Sequence, residues 1–113
     1  MNNESVIRHD SGEFLYIADD IAVIEQRAFA GDERVRFVFM AGNVKRICQS
    51  AFEGCTQLEK VFLPKTVARI ENGAFAECHK LTTINIPKAC EVAEGAFARC
   101  YYLHLNSDGV TRE

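Results

Sequence analysis

The sequence predicts an α/β repeat solenoid, a coil of about four units of 22–23 residues, each holding a short strand and a short helical or irregular turn. Three observations point to it. The pair Ala-Phe recurs at Ala28-Phe29, Ala51-Phe52, Ala74-Phe75 and Ala96-Phe97, with the phenylalanines spaced by 23, 23 and 22 residues. Periods of this length mark units that stack an apolar side on their neighbours. The apolar residues around each pair recur in register, and alternating apolar positions precede each pair.

Each unit follows the same frame. The best-formed one runs Leu58, Val61, Leu63, Pro64, Val67, Ile70, Ala74, Phe75, Cys78, and the next runs Leu81, Ile84, Ile86, Pro87, Cys90, Val92, Ala96, Phe97, Cys100 with one residue deleted. The preceding unit supplies Val35, Val38, Met40, Ala41, Val44, Ile47, Ala51, Phe52 and Cys55. The first supplies Leu15, Ile17, Ala18, Ile21, Ile24, Ala28 and Phe29, with Asp32 at the cysteine position. Val61-Phe62-Leu63 and Ile84-Asn85-Ile86 read as strands with one face buried. Pro64 and Pro87 end them, because proline has no amide hydrogen for a ladder. Val67-x-x-Ile70 turns back across the far side of the coil. Ala74, Phe75 and Cys78 share one side of a short helical turn, with Ser50 and Asn72 as expected caps. The phenylalanines then form a buried spine.

At 113 residues the chain makes one domain, with 1–13 as an N-terminal cap or flexible segment, 14–105 as repeats and 106–113 as a C-terminal turn or tail. The run Asn106-Ser107-Asp108-Gly109 suggests a hairpin that folds Val110–Arg112 back. Hydrophobic residues at 48% and charged residues at 26% describe a folded chain. A net charge of −3 argues against nucleic acid or an anionic membrane as partner. No apolar signal core follows the polar residues 1–5, so the chain as written reads as cytoplasmic. Phe14–Ala18 and Phe37–Ala41 are too short to span a bilayer.

Catalysis, cofactors and metals are not expected. Five cysteines without a C-x-x-C pair suggest neither a disulfide framework nor a zinc cluster. Cys55, Cys78 and Cys100 each follow a spine phenylalanine by three residues, which assigns them to packing. Stacked thiols in neighbouring coils run parallel, a poor geometry for a disulfide. Cys78-His79 pairs a nucleophile with a base only in sequence, since adjacent residues on a turn diverge. His9, His79 and His104 occupy unrelated frame positions. Cys48, following an inward Ile47, is expected to face solvent as the most reactive thiol. No phosphate loop, metal-binding helix or calcium repeat occurs.

The outward strand positions are the expected binding face: Phe14, Phe37, Lys60 and Thr83 in one column, Tyr16, Phe39, Phe62 and Asn85 in the other. Phe14, Tyr16, Phe37, Phe39, Phe62 and Asn85 are the candidate partner-binding residues, rimmed by Glu13, Arg36 and Glu59. An exposed apolar patch of this kind marks an interaction surface. Aromatic rings also stabilise one another across a sheet with no partner, and Asn2–Asp10 could fold over them. Both readings fit the residues. Terminal units of a solenoid expose apolar edges, so a homo-oligomer is also expected.

The frame L-x-x-[VI]-x-[LI]-P-x-x-V-x-x-I-x-x-x-A-F-x-x-C, best seen at Leu58–Cys78, resembles the BspA-like class of leucine-rich repeats over about residues 14 to 105. The resemblance implies a right-handed solenoid with a parallel sheet on one face and helical or irregular turns on the other. It also implies a surface or secreted bacterial protein concerned with adhesion. The expected function is therefore a non-catalytic, adhesin-like module that binds a protein through its strand face. The alternative is a structural, self-assembling unit or a fragment of a longer array.

Overall fold

A computed structural model describes residues 6–9 and 11–103. The strands in chain order are β1 (Val6–His9), β2 (Phe14–Ile17), β3 (Val23–Ile24), β4 (Phe37–Met40), β5 (Arg46–Ile47), β6 (Lys60–Phe62), β7 (Arg69–Ile70), β8 (Thr83–Ile84) and β9 (Glu91–Val92). They form two sheets, ordered β1-β2-β4-β6-β8 and β3-β5-β7-β9, called A and B below. All pairs between coils are parallel; β1 alone pairs antiparallel, on β2.

The parallel registers equal the repeat length. Leu15 pairs with Val38, Val38 with Val61 and Val61 with Ile84, so one inward residue per coil stacks on the next. Ile24, Ile47, Ile70 and Val92 do the same in sheet B. Alternation decides the inward face in both sheets, because successive residues of a strand point to opposite sides. Turns closed by Val67 N–H to Pro64 C=O (3.3 Å) and Cys90 N–H to Pro87 C=O (3.0 Å) lead from sheet A to sheet B.

The third side of each coil is a stacked turn. Phe29 N–H donates to Ala51 C=O (2.8 Å), Phe52 N–H to Ala74 C=O (2.7 Å) and Phe75 N–H to Ala96 C=O (2.8 Å). The spine rings stack at centroid separations of 5.1 Å (Phe29–Phe52), 5.1 Å (Phe52–Phe75) and 5.5 Å (Phe75–Phe97). Phe52 and Phe75 are wholly buried, and Phe97, on the last described coil, is half-buried. The expected spine is thus present.

Several expectations are corrected. Among the described residues no helix forms, so the architecture is a β-solenoid rather than an α/β repeat. The reason lies in the turn backbone. Residues four apart, Arg27/Gly31, Ser50/Gly54 and Gly73/Glu77, take left-handed conformations with φ from 58° to 76°, which stops a right-handed helix from propagating. The phenylalanine amides go to the adjacent coil, so none remains for a bond four residues back along the chain. Ser50 and Asn72 consequently cap nothing; Ser50 N–H donates to Asn72 C=O across coils (3.2 Å).

The far-side segment around Ile70 forms a second parallel sheet where only one was expected. The coil makes about three turns between its four stacked strands rather than four whole units. The hairpin expected at Asn106–Arg112 lies outside the described residues.

Candidate partner-binding face

Strand alternation that buries Leu15, Val38 and Val61 must turn Phe14 and Tyr16, Phe37 and Phe39, and Phe62 outward. Parallel register then aligns them: Phe14 with Phe37, Tyr16 with Phe39 and Phe39 with Phe62. Tyr16 and Phe39 stack at 5.7 Å, Phe39 and Phe62 lie tilted at 6.4 Å, and Phe14 and Phe37 at 6.5 Å. Phe39 and Phe62 remain 43% and 42% exposed, while Phe14, Tyr16 and Phe37 are half-buried. An open groove of about 490 Å³ runs between Phe14, Phe37 and Phe62, with Glu13, Glu59 and Lys60 along its sides.

The segment before Phe14 extends this face. β1 lies beside β2, pairing Ile7 with Tyr16 and His9 with Phe14. His9 sits 6.4 Å from the Phe14 ring, and Ile7 is 41% exposed. Of the segment expected to fold over the rings, residues 6–9 therefore run alongside them, and 1–5 and 10 lie outside the described residues. Val6-Ile7-Arg8-His9 carries no apolar–polar alternation, so the β-branched pair Val6-Ile7 was the only signal for this strand in the sequence. Arg8 pairs with Asp32, whose carboxylate also accepts the amides of Arg34 (3.0 Å) and Val35 (3.3 Å). Burial pushes the Asp32 carboxyl up, but Arg8 and the two amides outweigh it and hold the group below its ordinary value. Asp32 thus fills the cysteine position of the first coil as an anchor for β1.

Asn85 is positioned differently from the other candidates. Its side-chain amide accepts the Leu63 N–H (2.7 Å) and donates to the Leu63 C=O (2.9 Å). It acts as a substitute strand residue at the end of sheet A, half-buried and engaged within the fold. The rim is an ion-pair ladder: Arg36 reaches Glu59 at 2.8 Å and Glu13 at 3.4 Å, with its guanidinium 5.1 Å from the Phe37 ring. Hydrogen bonding to Glu59, with the charges of Glu59 and Glu13, raises Arg36 further above its already high value. The cation over Phe37 is therefore permanent.

The groups with chemical potential do not converge. The Cys55, Cys78 and Cys100 thiols donate to the carbonyls of Phe29 (3.2 Å), Phe52 (3.3 Å) and Phe75 (3.0 Å), each one coil back. This gives the column a role finer than packing: each thiol donates to a carbonyl one coil back, which at Phe29 and Phe52 also accepts the N–H of Asp32 and Cys55. Burial pushes the Cys55 thiol up to about 12, and hydrogen bonding with Cys100 together with burial pushes Cys78 up as well. Such thiols are poor nucleophiles. His79 turns away from Cys78 to meet Glu77 at 3.0 Å and stack on Tyr101 at 5.4 Å.

Cys48, expected at the surface, is only 8% exposed, with its N–H on the Ile24 C=O one coil back (2.9 Å). Burial and the nearby Glu71 carboxylate hold its thiol above the ordinary value. None of the five cysteines, all among the described residues, is in a disulfide. Among the described residues no cluster of three or more His, Cys, Asp or Glu side chains could hold a metal ion. No helix there is long and apolar enough to cross a membrane.

Comparison with known proteins places this geometry. No curated protein matches the sequence significantly. Among solved structures, the chain is similar to a T. pallidum leucine-rich repeat protein (TM-score 0.75, 21% identity), covering 99% of this chain and 63% of that one. It is also similar to a leucine-rich repeat protein from Bacteroides ovatus (0.66, 26% identity; 84% of this chain, 24% of that one). A third similar structure is a leucine-rich cell surface protein from Faecalibacterium prausnitzii (0.67, 23% identity; 95% of this chain, 34% of that one). The chain thus spans less than two thirds of the length of each. Residues 8–107 match the BspA-type leucine-rich repeat region in six copies, and with the coil, its registers and its spine in place the chain belongs to the BspA-type leucine-rich repeat family.

Proposed function

We propose that the chain is a non-catalytic protein-binding module that docks a partner on the outward face of sheet A, in the manner of a cell-surface adhesin. The observation that carries this is the row Tyr16, Phe39 and Phe62, continuous across three coils and open to solvent at Phe39 and Phe62. Large rings on a rigid scaffold lose little conformational freedom on binding and supply the anchors that dominate interface energies. Phe14 and Phe37 extend the contact, and Glu13, Arg36 and Glu59 form its polar rim. Asn85, tied to Leu63, contributes shape at the margin. A location at the cell surface accords with family membership and with the F. prausnitzii relative, itself a leucine-rich cell surface protein.

The test is to pan a displayed random-peptide library against the chain and measure the selected peptides on the double variant Phe39→Asp, Phe62→Asp. Affinity should fall by roughly a hundredfold or more, as for loss of a central aromatic anchor, with an unchanged far-UV circular dichroism spectrum. Peptides that bind the variant as tightly as the parent would remove the aromatic face from the account.

A further inference from the structure

Four strands end the two sheets, β1 and β8 in sheet A and β3 and β9 in sheet B. Of these, β3, β8 and β9 are two residues each, whereas β1 spans four. Very short edges are one way a fold blunts unwanted pairing, and proline or unmatched charge is another. β1 has none of these guards. It holds no proline, Val6 and Ile7 favour strands, and the guanidinium of Arg8 is matched by Asp32. Among the described residues no strand lies along its outer edge.

The His9 C=O accepts the Gly12 N–H (3.1 Å) and so faces the turn and β2. Alternation along the strand then turns the N–H and C=O of Val6 and Arg8 to the open edge. Side chains alternate as well. Val6 and Arg8 lie on the core side with their partners Ile17 and Leu15, and Ile7 points outward beside Tyr16 at 41% exposure.

We propose that the open edge of β1 pairs with the β1 of a second copy of the chain, about a two-fold axis perpendicular to sheet A. The pairing is independent of any docking on the aromatic face. Strands related by such an axis run antiparallel, the more stable ladder, and the association closes at a dimer. In the register centred on Ile7, Val6 faces Arg8 of the second copy and Ile7 faces its own equivalent. Val6 and Arg8, whose backbone groups are open, exchange both hydrogen bonds, and symmetry repeats the exchange. A register shifted by two residues sets Arg8 against Arg8, and like charges directly opposite disfavour it. A shift by one puts facing side chains on opposite sides of the sheet.

A second copy is favoured over a foreign segment because its β1 is already ordered on β2, whereas a disordered segment loses conformational freedom on pairing. The bodies of the two copies stay clear of each other. β1 stands one strand beyond β2, so the two first coils lie three strand spacings, roughly 14 Å, apart. The outward row Ile7, Tyr16, Phe39 and Phe62 runs on into its symmetry mate, and the dimer presents one face of doubled length. Pairing through one strand covers little area, so the association is weak and reversible.

Sedimentation equilibrium over a concentration series, with amide hydrogen exchange on the same samples, tests the pairing. The parent should pass reversibly from monomer to dimer, and the Val6 and Arg8 amides should gain protection as concentration rises. The Ile7 amide, already spent on β2, should change less. Ile7→Lys and Ile7→Glu should each weaken the dimer roughly tenfold or more. An equimolar mixture of the two should regain it, since a lysine then faces a glutamate over the axis. Far-UV circular dichroism confirms folding, and Val6→Pro, which removes an open amide, repeats the test should a charged variant not fold.

A parent that stays monomeric up to its solubility limit, protection that ignores concentration, or a mixture no better than its components overturns the proposal. A dimer that survives Ile7→Lys but is lost in Phe39→Asp, Phe62→Asp is held by the face of sheet A, and the edge pairing falls.

Discussion

Sheets A and B are built from the same inward residues and differ in what they present to water. Both stack one branched or aliphatic side chain per coil, Leu15, Val38, Val61 and Ile84 in one and Ile24, Ile47, Ile70 and Val92 in the other. Outward, sheet A shows aromatic rows, whereas sheet B shows Val23, Arg46, Arg69 and Glu91, with Glu71 linking Arg46 and Arg69. The sheet B face can satisfy itself through these ion pairs. On sheet A the rings shield one another only in part, and Phe39 and Phe62 stay more than two-fifths exposed. A solenoid fixes alternate residues and leaves the others free, so the departure of sheet A from an ordinary charged face is where function is to be sought.

The comparison breaks most severely if the shared interior is removed. Phe75→Ala takes away a fully buried ring stacked on both neighbours. It should cost about 3–5 kcal/mol in chemical denaturation, with both sheets lost together because the spine joins adjacent coils. A local change confined to one sheet would contradict the shared core.

Next comes the contrast between the outer faces. Phe39→Asp, Phe62→Asp should reduce docking by about 2–3 kcal/mol or more in a binding titration, while changing folding stability by only about 1 kcal/mol. Arg46→Ala, Glu71→Ala on sheet B should leave docking untouched and shift the denaturation midpoint only slightly, as for exposed ion pairs. Equal docking losses from both substitutions would erase the distinction between the faces.

A smaller effect is expected on the turn side. Arg27 holds φ at 59° in the frame position that Gly73 occupies two coils later. Left-handed backbone costs a side-chain-bearing residue about 1–2 kcal/mol, partly offset by the greater freedom of glycine in the unfolded chain. Arg27→Gly should therefore raise stability by up to about 1 kcal/mol, read as an increased denaturation midpoint at unchanged slope. A decrease would show that Arg27 makes a contact worth more than its strain.

Smallest is the acid response of sheet B. Arg46 holds the Glu71 carboxyl below its ordinary value. A depressed carboxyl contributes stability above its unfolded pKa, and the contribution disappears as pH falls through the folded value. Between neutral pH and strong acid, parent and Glu71→Gln should therefore converge in stability, the parent's lead of under about 1 kcal/mol vanishing below the ordinary carboxylate range. A lead that grew toward acid would have the wrong sign.

Spine, inward columns and outward aromatic rows were all legible in the chain, because each depends on a period of 22 or 23 or of two, and periodicity survives without coordinates. Four features were not. The turns around Ala-Phe look helical by spacing, yet alternate amides are spent on the next coil and those between them bond three residues back. Cys48 looks exposed from its place after Ile47, yet it is buried, its N–H held by the Ile24 C=O of the coil before. Asn85 looks like one more outward residue, yet it closes the ladder on Leu63. Val6–His9 looks like a polar leader, yet it pairs with β2.

The sequence by itself determined which residues stack in files and which side of the first strand row is aromatic. Those properties follow from the order of apolar and polar residues along the chain. Only the tertiary structure decided how the backbone between those residues satisfies its hydrogen bonds. The partners of Phe52 N–H, the Cys78 thiol and the Asn85 amide each lie 22 to 26 residues away, and a bond across coils leaves no local mark at either end.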